Sequence, residues 1–115
     1  MPVENWSETV LLAELSDDPQ FSDDLNSLLE TIEKTTEVDV VLNFQNVSFL
    51  NSSNIAKLLK LRKLQVSNHH RKLKLCAINT HVWGVFLVTG LDKIFEVYDD
   101  VATALASLQV DSADA

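Results

Sequence analysis

The chain has 115 residues, 46% of them apolar, and a formal net charge of −8. Length and apolar content suit one domain with one core, and the acidity argues against a nucleic-acid binder, because neutralising phosphates takes a basic surface. No apolar run approaches the roughly 20 residues that span a bilayer, and the N-terminus lacks the basic and apolar regions of a secretory signal, so a cytoplasmic protein without membrane insertion is expected.

Two glycines, two prolines and no low-complexity tract leave only the first few residues and Asp111–Ala115 as candidates for disorder. The expected organisation is therefore one domain over residues 1–110 with a flexible tail over 111–115. Cys76, the single cysteine, has no partner for an intramolecular disulfide and reads as a small buried hydrophobe in a reducing compartment.

Thr9–Leu15 is apolar enough for a strand, which Asp17-Asp18-Pro19 stops because proline lacks a donor and fixes φ. Phe21, Leu25, Leu28, Leu29 and Ile32 then share one helical face, with Ser22 as the expected cap and Asp23 and Asp24 in the first turn. Val38–Phe44 is β-branched and nearly continuous in its apolarity, the pattern of an inner strand covered on both faces.

A hydrophobic strand next gives way to Asn51-Ser52-Ser53-Asn54 and a helix expected over Ser53–Asn68. At about 100° per residue, Ile55, Leu58, Leu59 and Val66 fall on an arc that should face the sheet. Lys57, Lys60 and Lys63 lie on the opposite arc with Leu64, which makes Leu64 a candidate docking contact on a basic stripe. Asn68-His69-His70 reads as a turn, and neither histidine has a Cys or an acid at metal-ligand spacing, so no metal is expected.

Leu73–Ile78 is the next strand, and Thr80 is expected to cap a short helix that Gly90 ends. Ile94–Tyr98 alternates like a strand, and Val101, Ala104, Leu105 and Leu108 mark one face of a last helix. The order β-α-β-α-β-α-β-α predicts an α/β domain: a mixed sheet of about four to five strands with about four helices packed on it.

That order does not specify chemistry. With glycine only at 84 and 90, loops of the Gly-x-Gly-x-x-Gly or Gly-x-x-x-x-Gly-Lys type are absent, and no cofactor is expected. Ser52-Ser53 lacks the glycines of a nucleophile elbow, Cys76 lacks a second cysteine, and His81 reads as a solvated residue, so no enzyme is expected.

Two readings of Ser52 and Ser53 are open. One serine caps the helix, worth roughly 1 kcal/mol. Alternatively, one is a phosphoacceptor, because a phosphate in the first turn would sit at the positive end of the helix dipole among unpaired N–H groups. Charge is also unevenly spread: residues 1–56 hold eleven acids against Lys34, whereas residues 57–74 hold seven basic side chains and no acid. That basic stretch either steers a charged partner or balances the acidic half within the fold.

Taken together, Val40–Phe44, Val47-Ser48-Phe49-Leu50-Asn51-Ser52-Ser53-Asn54, the helix up to Asn68, Lys72–Ile78 and Leu87-Val88-Thr89-Gly90-Leu91-Asp92-Lys93-Ile94-Phe95 resemble the STAS domain of bacterial anti-sigma factor antagonists. In that family a strand runs into Asp-Ser-Ser/Thr-Gly, a leucine-rich helix follows, and a Thr/Ser-Gly-Leu element precedes the last strand. The likeness covers residues 38–108. Over residues 1–37 only the pattern matches: Glu14-Leu15-Ser16-Asp17 faintly echoes the family's Gly-Glu-Leu-Asp turn, and a first strand, if present, would lie in Val3–Ser7.

The resemblance implies a protein that binds an anti-sigma factor, itself a serine kinase, and is released when its own serine is phosphorylated. Ser52 aligns with that serine, and Ser53 is the alternative. The implied partner surface comprises Asn51, Ser52, Ser53, Asn54, Lys57, Lys60 and Leu64, on a monomer or weak dimer. Asn51 replaces the family Asp and Asn54 the family Gly. These departures favour a second implication, a STAS-like adaptor permanently bound to a partner such as a transport ATPase.

Overall fold

A computed structural model describes residues 3–113, and the side chains of residues 4–109. Five strands form one mixed sheet in the order β1 (Val3–Ser7), β2 (Val10–Ser16), β3 (Asp39–Asn46), β4 (Leu73–Cys76) and β5 (Glu96–Tyr98). β1 runs antiparallel to β2, and every later pair is parallel. The helices are α1 (Gln20–Lys34), α2 (Ser52–Arg62), α3 (Thr80–Thr89) and α4 (Val101–Ala113).

The topology decides which face each helix covers. Parallel neighbours in sequential order, joined by crossovers of one hand, place their connecting helices on the same side of the sheet. Accordingly α1, α2 and α3 pack on the face that presents Leu11, Ala13, Leu15, Val40, Leu42 and Phe44. Helix α4 covers the other face, where Ala104, Leu105 and Leu108 meet Val10, Leu12, Val41 and Cys76. β3, third of five and buried from Asp39 to Phe44, is the sheet centre, as its apolar run predicts. Phe21, Phe44, Phe86 and Phe95 link the larger cluster through ring contacts of 6.0–6.3 Å.

Several boundaries differ from the sequence expectation, each for a local reason. Val3–Ser7 is a strand, although its exposed residues show no buried alternation to betray it. Helix α1 starts at Gln20, so Ser22 lies inside its first turn rather than capping it. Asn79 caps α3 by accepting from Val82 N–H at 2.8 Å, which makes Thr80 its first residue. The last strand begins at Glu96, because Leu91–Lys93 closes a 3₁₀ turn after Gly90 at φ 78°. Helix α4 continues to Ala113, into the stretch expected as a tail, and residues 114–115 lie outside the described residues.

The expected helix 53–68 is α-helical only to Arg62, and a π-helical turn completes it over Lys63–Asn68. Its buried stripe is Asn54, Leu58, Leu61 and Gln65, spaced i, i+4, i+7 and i+11. Two polar residues in that stripe hid the true face. Leu59, expected against the sheet, is 41% exposed, whereas Leu64 packs partly buried against the core.

Candidate functional site

Strand β3 delivers the chain to the carboxyl edge of the parallel sheet, and α2 starts there. The connection between them is fastened on both sides. Ser48 N–H donates to Asp17 Oδ1 at 2.7 Å, tying it to the β2–α1 turn, and Asn79 Nδ2 donates to the Val47 carbonyl at 2.7 Å, tying it to the start of α3.

Asn51, with extended φ −103° and ψ 175°, is the N-cap of α2. Its Oδ1 accepts from Asn54 N–H at 2.8 Å, while Asn54 Oδ1 accepts from Asn51 N–H at 3.1 Å. This is a reciprocal capping box built from two asparagines, and it pairs two of the N–H groups that a helix start leaves unpartnered.

The outward faces of both amides converge on Asp18. Its Oδ2 accepts from Asn54 Nδ2 at 2.9 Å and from Asn51 Nδ2 at 3.1 Å. Its Oδ1 accepts from Ser22 Oγ at 2.8 Å and from Ser22 N–H at 2.9 Å. Donors to the charged form favour ionisation. The Ser22 hydroxyl foremost, with the two asparagine amides against a desolvation cost, pulls the Asp18 carboxyl down to about 2.

Ser52 and Ser53 occupy the first two helical positions and are exposed. Asn51 makes the cap, and neither serine hydroxyl has a hydrogen-bond partner among the described residues. The capping reading of the serines is thereby removed. What remains is a pair of free hydroxyls at the positive end of a helix dipole.

The two asparagines that depart from the motif have structural accounts. Asn54 is 1% exposed and is not among the residues with positive φ. It therefore does not replace a glycine needed for left-handed backbone, and its side chain does not project towards an approaching partner. Asn51 is exposed and uncharged, and the nearest carboxylate to it comes from Asp18, 33 residues earlier.

Further along α2, Lys57 is half-buried and Lys60 exposed. The open apolar side chains near this corner are Leu59 on the helix and Phe49, 48% exposed, in the preceding connection. Sequence reasoning missed Asp18, Ser22, Phe49 and Leu59. The acidic pair before Pro19 carried a signal, since it reads as a strand stop while also offering acceptors to a nearby helix start.

Grooves of about 310 Å³, between Arg62, Arg71 and Phe95, and about 420 Å³, between Thr80, Trp83 and Tyr98, are lined by none of residues 51–54. Among the described residues, no three His, Cys, Asp or Glu side chains could jointly hold a metal ion, and no helix is long and apolar enough to cross a membrane.

Residues 19–104 match the model of the STAS domain. The chain belongs to the STAS domain family. A Paenibacillus polymyxa protein named anti-sigma F factor antagonist is 30% identical over 81 residues, which cover 70% of this chain and 68% of that protein. Among solved structures, Moorella thermoacetica RsbS carrying a serine-to-glutamate substitution superposes with a TM-score of 0.82 at 14% identity, covering 97% of both chains. An anti-sigma-factor antagonist (STAS) domain protein from Planctomyces limnophilus gives 0.76 at 18% identity, covering 87% of this chain and 91% of its own. At those identities the structural likeness speaks for the STAS fold. The matched family span opens at Pro19, one residue after the carboxylate that organises the corner.

Proposed function

We propose that this chain is an anti-sigma factor antagonist that binds an anti-sigma factor with serine kinase activity, and that phosphorylation of Ser52 switches it off. The observation that carries the reading is the free pair of hydroxyls on the first turn of α2, left unbonded because Asn51 caps the helix. A phosphate there gains local stabilisation from the helix dipole, yet adds about −1.5 to −2 charges to a contact surface, with the attendant desolvation and repulsion. The name of the Paenibacillus relative supports the antagonist part of the reading.

The contact surface comprises Asn51, Ser52 and Ser53 at the corner, Lys57 and Lys60 along α2, and the open side chains of Phe49 and Leu59, with Leu64 set back against the core. The chain acts by binding rather than by catalysis: among the described residues no base is hydrogen-bonded to either serine hydroxyl, and glycine stands only at 84 and 90, away from the serine motif.

Incubation with ATP and a purified anti-sigma factor of the serine kinase type is expected to add one phosphate, located at Ser52 by intact mass and fragment analysis. Ser52→Asp is expected to weaken partner binding at least tenfold, about 1.4 kcal/mol. No phosphate, together with unchanged binding by Ser52→Ala, would overturn the switch in favour of a STAS-like adaptor held permanently on its partner. Charge reversal at Lys57 and Lys60 is expected to slow association most at low salt.

A further inference from the structure

The Asp18 carboxylate joins three segments that are far apart in sequence: its own β2–α1 turn, the first turn of α1 through Ser22, and the start of α2 through Asn51 and Asn54. We propose that Asp18 is the positioning residue through which a phosphate on Ser52 is felt beyond α2. The new dianion opposes the Asp18 carboxylate, weakens its hold on Asn51 and Asn54, and loosens the β2–α1 turn from the corner. This rests on the phosphorylation reading of Ser52.

Proximity supports the coupling. Asn51 directly precedes Ser52, and Asp18 Oδ2 lies 3.1 Å from Asn51 Nδ2. A phosphate on the neighbouring residue therefore falls roughly within the screening length of about 8 Å at physiological salt. The carboxylate has no local counter-ion: among the described residues the ion pairs are Arg71–Asp39 and Lys74–Glu96, both away from this corner.

By sequence position, the charged residues flanking this turn and the start of α2 are Asp17, Asp23, Asp24 and Lys57, while residues 45–53 carry none. An added dianion on Ser52 therefore meets the Asp18 carboxylate with no ion-pair partner beside it among the described residues. The Asp17–Ser48 contact ties the same turn to the β3–α2 connection and is the restraint that this loosening works against.

Coupling of this kind is reciprocal. If the phosphate disturbs Asp18, then Asp18 must resist the second ionisation of the phosphate and hold its pKa higher than it would be without that carboxylate. A bond that merely props up the helix would leave the phosphate titration untouched.

The test uses the full chain with phosphoserine installed at position 52 by amber-codon translation, so no kinase is needed. Amide exchange at Ser22, whose N–H donates to Asp18, is expected to run at least fivefold faster with the phosphate than without, the ratio falling towards one as pH drops through the phosphate titration. Phosphorus-31 NMR of the Asp18→Asn variant is expected to show the second phosphate pKa lowered by about half a unit. Asn51→Ala, which removes a contact but no charge, should leave that pKa unchanged.

An unaltered phosphate pKa in Asp18→Asn, or a Ser22 exchange ratio near one at neutral pH, would overturn the inference. Should Asp18→Asn fail to fold, the pH dependence of Ser22 exchange in the otherwise native chain decides. The two readings fail separately. Phosphoserine that leaves partner affinity intact sinks the switch, whereas lost affinity with unmoved Ser22 exchange and phosphate pKa sinks only the role of Asp18.

Discussion

The two ends of the second helix use polar side chains in opposite ways. At its start, Asn51, Asn54 and Asp18 fasten one another and the backbone, and two serine hydroxyls are left over for something outside the molecule. Beyond its end, Gln65 Nε2 donates to the Val38 carbonyl at 2.7 Å and to the Lys72 carbonyl at 2.9 Å, and Arg62 Nε reaches the Ile94 carbonyl at 2.9 Å. One end anchors the helix to the sheet, and the other presents chemistry from a prepared support. Rigid positioning of a site needs both.

The sharpest way to break that contrast is at the anchoring end. Gln65 is fully buried, so Gln65→Ala removes two hydrogen bonds, leaves the buried Val38 carbonyl short of a donor while the Lys72 carbonyl keeps Val40 N–H, and opens a cavity. A loss of about 3 kcal/mol in urea unfolding is expected. A loss under about 1 kcal/mol would mean that the π-helical turn is held by its backbone and apolar contacts instead.

At the presenting end the next largest effect is expected from Asn54. Asn54→Ala removes half of the capping box and one donor to Asp18, for about 2 kcal/mol. Asn54→Gly, which restores the family residue, is expected to cost at least as much, because the residue here is a buried strut rather than a backbone hinge. A stabilised Asn54→Gly protein would reverse that account.

These two residues also mark where the sequence stopped being legible. Elements with a strong period were readable: β3 from its continuous apolar run, and α1 from Phe21, Leu25, Leu28, Leu29 and Ile32, all of which are buried. The face of α2 was misjudged because Asn54 and Gln65 occupy core positions as polar residues, and hydrophobic period does not register buried amides whose N–H groups find tertiary partners. The serine corner was visible as a strand-to-helix junction. The carboxylate behind it was not, because it arrives from another turn by long-range contacts, 33 residues away from Asn51 and 36 from Asn54.

Acid titration sharpens the presenting end further. The Asp18 carboxyl is lowered from 3.8 to about 2 in the folded chain, so its contribution to stability is complete above about pH 4 and is lost as the pH falls through about 2. Asp18→Asn is expected to flatten the dependence of unfolding free energy on pH in that window. Asp24 acts in the opposite sense: burial raises its pKa and one of its oxygens is unpaired, so ionised Asp24 costs stability at neutral pH. Asp24→Leu is expected to stabilise the chain at pH 7 by about 1 kcal/mol, with a smaller gain in acid, where the native carboxyl is already neutral.

The smallest expected effect bears most directly on function. Asn51→Ala should cost about 1 kcal/mol as the loss of a helix cap, whereas Ser52→Ala and Ser53→Ala should each stay within about 0.5 kcal/mol, because their hydroxyls hold nothing in the folded chain. Thermal melts of the three variants side by side make the measurement. If Ser52→Ala costs as much as Asn51→Ala, the serine is a cap after all and the case for a free phosphoacceptor loses its support. If Asn51→Ala alone is costly, the first turn of α2 keeps a hydroxyl that folding does not require, and selection for something other than stability is the remaining reason for it.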